Sequence, residues 1–143
     1  MALCLNGLDQ QTVANGKPAD NFLMTHVLII EDEILIALDL AEQLEDHGAF
    51  SFAFASSEER AIAAATERRP DLITCDITLA QGYGPRAIKA IHDAVGPIPT
   101  IFVTGTPDAA LMEYEPCVIL QKPVDPKSLI EAFRAFKEMP GYR

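Results

Sequence analysis

The chain has 143 residues, enough for one domain, and its hydrophobic content of 49% is ample for a packed core. The formal net charge is −10 with only 11 Lys and Arg, which argues against nucleic-acid or anionic-membrane binding and favours proteins or cations as partners. Three cysteines without a CxxC pair suit a reducing, cytoplasmic setting. No apolar run approaches the roughly 18 residues of a membrane span.

The two ends of the chain differ in composition from its middle. Asn-Gly pairs interrupt residues 1–23, which show no apolar periodicity, so we predict a flexible N-terminal tail there. We place a single domain at 24–139 and a short C-terminal tail at 140–143.

Between these ends, short apolar runs alternate with helical patterns. Strands are predicted at 26–30, 50–55, 72–75, 98–103 and 117–121. Helices are predicted at 33–47, 56–68 and 85–95, and after the Asp125-Pro126 start signal. The stretch between Pro107 and Pro116 has room for two helical turns at most, so we expect a shortened or irregular fourth helix.

Apolar spacing also predicts which helix faces are buried. In the first helix the expected inner stripe is Ile34, Leu38, Ala41 and Leu44. In the last helix it is Leu129, Phe133 and Phe136. Ser56 with Glu59 fits a capping box at the start of the second helix.

The strands are continuously apolar, as expected when helices cover both faces of a parallel sheet. Their alternation with helices predicts an α/β fold with a doubly wound five-stranded parallel sheet and right-handed crossovers. Ligands of such sheets bind at the carboxyl ends of the strands.

Residues with metal or phosphate chemistry follow four of the five predicted strands. Glu31-Asp32 follow the first, Asp76 the third, Thr104 the fourth and Lys122 the fifth. Three carboxylates in one cleft disfavour each other's ionisation, and a divalent cation relieves that conflict. Oxygen-only ligands select Mg²⁺, with Mn²⁺ as the alternative, so we predict a half-open metal site.

A carboxylate beside a cation, a hydroxyl and a lysine is also a place for a phosphoryl group. Asp76 would be the nucleophile that forms an acyl phosphate. Thr104 and Lys122 would bind the phosphoryl oxygens, and catalysis would consist of positioning and charge neutralisation.

With these motifs in order, the chain from about Thr25 to Lys137 resembles a response-regulator receiver domain of a two-component system. The resemblance implies a flavodoxin-like fold with strand order 2-1-3-4-5. It also implies a phosphoacceptor domain rather than an enzyme acting on other substrates. Asp76 would receive its phosphoryl group from a histidine kinase or histidine phosphotransfer protein, and output would follow by binding a downstream protein.

The same resemblance assigns roles to the neighbouring residues. Asp32 and Asp76 would bind Mg²⁺ directly, with the backbone carbonyl of Thr78, while Glu31 would act through water. Thr104 and Lys122 would hold the phosphoryl group and signal its arrival. A cis peptide is expected between Lys122 and Pro123.

The sequence departs from the common receiver pattern in two places. Ile119 stands where receivers commonly have Phe or Tyr as a rotamer switch, and the Thr104-to-Lys122 stretch is shorter than typical. The string Pro99–Gly105 resembles the alphaproteobacterial subclass named for its Phe-Ala-Thr-Gly-type motif. We expect a stand-alone receiver of that subclass.

Three alternatives remain at this stage. An aspartyl-nucleophile phosphatase needs an acid two residues after its nucleophile, where this chain has Thr78. A flavodoxin-like FMN binder needs a hydroxyl- and glycine-rich loop after the first strand, where this chain has the acidic 31–33. The third is a receiver fragment of a larger multidomain regulator.

The histidines and Cys75 are predicted to have no part in this chemistry. His26, His47 and His92 lack metal-ligand spacing, so we expect structural or solvent-facing roles for them. Cys75 should point to the opposite side of its strand from Asp76 and pack in the core.

Overall fold

A computed structural model describes residues 25–105 and 117–139. Five parallel strands form one sheet: β1 His26–Ile30, β2 Ser51–Ala55, β3 Leu72–Asp76, β6 Thr100–Thr104 and β7 Cys117–Gln121. A separate antiparallel hairpin consists of β4 Thr78–Leu79 and β5 Gly82–Tyr83. The sheet order β2-β1-β3-β6-β7 confirms the predicted order 2-1-3-4-5 for the five sheet strands.

Within the described ranges the chain forms four helices: α1 Ile34–Asp46, α2 Glu58–Glu67, α3 Gly84–Val95 and α4 Pro126–Lys137. Their bounds agree with the predicted helices to within two residues. The predicted fourth helical segment and the two predicted tails lie outside the described residues. None of these helices is long and apolar enough to cross a membrane.

The core is divided by the sheet into two apolar clusters. Val27 and Ile29 of β1 face the cluster that α1 and α4 cover, together with Phe133. Leu28 and Ile30 face the opposite cluster, which α2 and α3 cover. Because both faces of β1 are covered, all five of its residues are buried, and the four that follow His26 are apolar.

The predicted inner stripe of α4 is confirmed: Leu129, Phe133 and Phe136 are all buried. The prediction for α1 is wrong in part. Ile34 and Leu38 are 61% and 51% exposed, and the buried residues are Ala37, Leu40, Ala41 and Leu44. The sequence of α1 contains two overlapping apolar stripes. The stripe with two alanines lies against the sheet because small side chains let the helix approach closely.

The cap of α2 also differs from the prediction. Ser57, not Ser56, is its N-cap, and its Oγ accepts the Arg60 N–H at 3.2 Å. The predicted cap of α4 is confirmed, since Asp125 accepts the Ser128 N–H at 3.1 Å. These caps fix where each helix starts relative to the strand that precedes it.

Candidate functional site

The predicted site residues meet at the carboxyl edge of the sheet. Glu31 and Asp32 directly follow β1, Asp76 ends β3, Thr104 ends β6 and Lys122 directly follows β7. The Lys122 N–H donates to the Thr104 carbonyl at 2.8 Å, which extends the β6–β7 pairing to the edge. The parallel register therefore brings residues distant in sequence to one place.

Three carboxylates lie together at this edge. Glu31, Asp32 and Asp76 each present an oxygen within 4.8 Å of the other two. Glu31 and Asp76 are buried, and Asp32 is half-buried at the mouth. An all-oxygen donor set of this kind, open on one side, fits a divalent cation such as Mg²⁺.

Lys122 is the cation that the chain itself supplies. Its Nζ donates to Asp76 Oδ2 at 3.1 Å and lies 3.8 Å from Glu31 Oε1. Partial burial alone would lower the pKa of Lys122, but the hydrogen bond to Asp76 and the nearby carboxylates raise it above its ordinary value. The lysine therefore stays charged and holds the Asp76 carboxylate in a fixed direction.

The charges at this edge are not balanced. Burial raises the pKa of Glu31 to about 7; its bond from the Glu33 N–H lowers that pKa, while the Asp76 charge adds to the rise. Among the described residues, Lys122 pairs with two of the three carboxylates, Glu31 and Asp76, so the cluster still carries excess negative charge. Binding a divalent cation would remove that excess.

A cavity of about 510 Å³ opens over these side chains. Its walls include Asp32, Asp76, Thr104 and Lys122, and the segment 77–80 closes one side. Thr78, expected to offer its backbone carbonyl, lies on this wall as the first residue of β4. The cavity thus holds carboxylates, a hydroxyl and an ammonium group around one space.

Cys75 and Ile119 are both placed in the core. Cys75 is buried in the cluster that α2 and α3 cover, and burial, reinforced by Asp76, raises the pKa of its thiol. Ile119 is half-buried on β7 and packs against the same cluster. The Lys122–Pro123 peptide is cis, as the resemblance implied.

Two features of the site were missed by sequence reasoning. The predicted loop 77–84 contains the β4–β5 hairpin, and Gly84 begins α3 directly against Asp76. A Cβ at Gly84 would overlap the Asp76 carbonyl oxygen and lie 2.8 Å from Cys75 Sγ. The Gly-x-Gly spacing at 82–84 was the available signal for this close approach.

Residues 27–134 match the family model described as the response regulator receiver domain. The chain belongs to this family. It is 36% identical over 119 residues to the phyllosphere-induced regulator PhyR of Methylorubrum extorquens, covering 80% of this chain and 44% of that protein. It is 32% identical over 122 residues to the transcriptional regulatory protein PdtaR of Mycobacterium tuberculosis, covering 80% of this chain and 57% of that protein. The chain thus spans about half the length of these curated relatives.

Solved structures agree with the fold. A CheY-like receiver domain protein from Methanospirillum hungatei superposes with a TM-score of 0.71 at 21% identity, over 80% of this chain and 94% of that one. A two-component response regulator from Clostridium difficile gives 0.71 at 25% identity, over 78% and 94%. The receiver assignment therefore rests on the family match, and these structures support its architecture.

Proposed function

We propose that this receiver domain is a phosphoacceptor in a phosphorelay and that Asp76 accepts the phosphoryl group. The observation that carries the proposal is the position of Asp76, which ends β3 with Lys122 Nζ at 3.1 Å and two further carboxylates within 4.8 Å. The donor would be a histidine kinase or a histidine phosphotransfer protein. The chain would catalyse only its own phosphorylation and dephosphorylation.

In the transfer step, an Asp76 carboxylate oxygen attacks the phosphorus of a phosphohistidine. An O–P bond forms, the N–P bond breaks, and the imidazole leaves with the electron pair and takes up a proton. Lys122 and the Thr104 hydroxyl would donate to phosphoryl oxygens as their charge grows. Attack of water on the acyl phosphate later returns Asp76 and inorganic phosphate.

Asp32 and Asp76, with the Thr78 carbonyl, would hold a Mg²⁺ ion, and Glu31 would act through a bound water. The cation would neutralise charge on the transferring phosphoryl group. The observations in favour are the all-oxygen donor set and the burial of Glu31, which raises its pKa to about 7 with a further contribution from the Asp76 charge.

The signal would be read by another protein. Thr104 and Lys122 end β6 and follow β7, so a phosphoryl group bound by both would pull on the two strands that flank residues 106–116. We infer membership of the subclass with the Phe-Ala-Thr-Gly-type motif from Pro99–Gly105, with Ile119 where receivers commonly have an aromatic switch residue. A stand-alone receiver and a receiver within a larger regulator remain the two candidate settings, since the matches cover only 44% and 57% of the relatives above.

The test is labelling with acetyl phosphate and Mg²⁺, resolved by intact mass and phosphate-affinity electrophoresis. We expect wild-type protein to label and Asp76→Asn not to. Asp93→Asn is the matched control, because Asp93 is an exposed carboxylate on α3 that pairs only with Lys89, at 3.3 Å, among the contacts described. Undiminished labelling of Asp76→Asn would refute the proposal, and turnover of external phosphomonoesters would favour the phosphatase instead.

A further inference from the structure

The hairpin 78–83 follows Asp76 in the chain, and its residues 78–80 line the cavity. It has few hydrogen bonds of its own to hold its shape. Each strand has two residues, paired Thr78 with Tyr83 and Leu79 with Gly82. A two-stranded hairpin is marginal in water even when it is longer. Its position must therefore be set by contacts with the rest of the domain.

One contact comes from the site itself. The Ala80 N–H at the tip of the hairpin donates to Asp32 Oδ2 at 2.5 Å. This bond couples the hairpin to a carboxylate that we assign to the cation. It anchors only the side of the hairpin nearest the cavity.

The opposite side is anchored by Glu58, the first residue of α2. Its Oε2 accepts the Tyr83 N–H at 2.7 Å, and the preceding Ser57 forms a β-bridge with Gln81. Gly82 permits the close approach: its φ is +129°, and a Cβ there would lie 2.6 Å from Glu58 Cγ. The glycine at position 82 therefore leaves the space that the Glu58 side chain occupies.

Arg86 in the first turn of α3 orients the Glu58 carboxylate. Its Nη2 lies 2.7 Å from Oε2, and its Nε lies 3.2 Å from Oε1. These bonds, followed by the Tyr83 N–H, lower the pKa of Glu58, so it remains an ionised acceptor. Because Arg86 is 67% exposed, the ion pair itself contributes little stability, and its effect is to fix direction.

We propose that Glu58 is a positioning residue for the phosphorylation site, which holds the hairpin so that the segment 78–80 faces the cation. The inference rests on the proposed function of that site. Glu58 touches neither the phosphoryl group nor the cation, and it acts through the Tyr83 N–H. Losing it should weaken cation binding and leave the chemical step at saturating cation nearly unchanged.

The first measurement needs no phosphodonor. Calorimetric Mg²⁺ titration compares wild type with Glu58→Ala, Glu58→Gln and the neighbouring Glu59→Ala, whose side chain is exposed on the same turn. We expect Glu58→Ala to weaken Mg²⁺ binding by about ten-fold, the scale of groups that orient metal ligands. Glu58→Gln, which keeps an acceptor oxygen, should lie between, and Glu59→Ala should match wild type.

Amide exchange of metal-free protein supplies a second readout, and Glu58→Ala should speed exchange at Tyr83 and Ala80. The double variant Glu58→Arg with Arg86→Glu separates the two contacts of Glu58. This double variant restores an ion pair but removes the acceptor for the Tyr83 N–H. Its Mg²⁺ binding should therefore be as weak as that of Glu58→Ala.

The rate of labelling by acetyl phosphate, measured over a range of Mg²⁺ concentrations, then separates an effect on cation binding from an effect on the chemical step. The Mg²⁺ concentration for half-maximal rate should rise about ten-fold in Glu58→Ala, while the plateau rate stays within about two-fold. Wild-type Mg²⁺ affinity in folded Glu58→Ala and Glu58→Gln, or rescue by the charge swap, would overturn the inference. Failure of wild type to label would instead count against the proposed function, and the metal titration would still decide the role of Glu58.

Discussion

The two edges of the sheet bury similar polar groups but use them differently. At the amino edge, Asp71 Oδ2 accepts the His26 N–H at 2.8 Å, and His26 Nδ1 lies 2.8 Å from Ser51 Oγ. At the carboxyl edge, three carboxylates cluster and Lys122 pairs with two of them, Glu31 and Asp76. Asp71 and Asp76 are equally exposed, at 9% each.

The difference lies in whether burial is compensated within the chain. Amino-edge groups satisfy each other with hydrogen bonds, so they connect β1, β2 and the start of β3 and need no ligand. At the carboxyl edge, burial raises the pKa of Glu31 and the nearby Asp76 charge adds to the rise, while a cavity of about 510 Å³ lies open beside the cluster. In this domain, therefore, buried polar groups point to a candidate functional site where like charges lie together, and to a structural role where hydrogen bonds satisfy them.

The largest expected effect comes from the glycines at the two ends of α3. Gly84→Ala should cost about 3 kcal/mol of stability, because its Cβ would overlap the Asp76 carbonyl. Gly96→Ala at the amino edge should cost about 2 kcal/mol, since its Cβ has room but its φ of +93° and ψ of 169° lie in a region that is essentially confined to glycine. Urea unfolding of both variants gives the comparison, and equal losses would contradict it.

Next is the pH dependence at the amino edge. Burial, with the Arg68 charge, lowers the pKa of His26 from 6.5 to about 4 in the folded protein. As pH falls below 6.5, the unfolded chain takes up a proton that the folded protein refuses, so stability falls. Between pH 7.5 and 5, wild type should lose about 2 kcal/mol more than His26→Gln. Urea unfolding at pH 7.5 and at pH 5 measures the free energy of unfolding of both proteins. Equal losses in wild type and His26→Gln would show that His26 does not cause the pH dependence.

The smallest expected effect is a pair of stability changes of opposite sign, one at each edge of the sheet. Glu31 has a folded pKa raised to about 7, so its ionisation destabilises the fold as pH rises through 7. In chelator at pH 8, Glu31→Gln should therefore stabilise by about 1 kcal/mol, less toward pH 5. Asp71→Asn should destabilise by about 1 kcal/mol, because its bond to the His26 N–H loses the charge. Thermal melts of both variants are sufficient, and shifts of the same sign would refute the distinction.

Much of the site could be predicted because its signal is local. Each candidate site residue stands at the end of an apolar run, and parallel strands bring such ends to one edge. The meeting of Asp76, Thr104 and Lys122 at one edge could therefore be predicted once the strands and their order were assigned correctly. The buried stripe of α1 was harder, because Ile34 and Leu38 are as apolar as the residues that replaced them in the core.

The sequence by itself determined the alternation of elements, the strand ends and the acidic cluster, because those follow from periodicity and from where apolar runs stop. Only the tertiary structure decided how α1 is rotated, that Gly84 lies against Asp76, and that Glu58 reaches the Tyr83 N–H across 25 positions. These contacts join separate elements at distances set by packing, and the Gly-x-Gly spacing at 82–84 signals a close approach without specifying its partner.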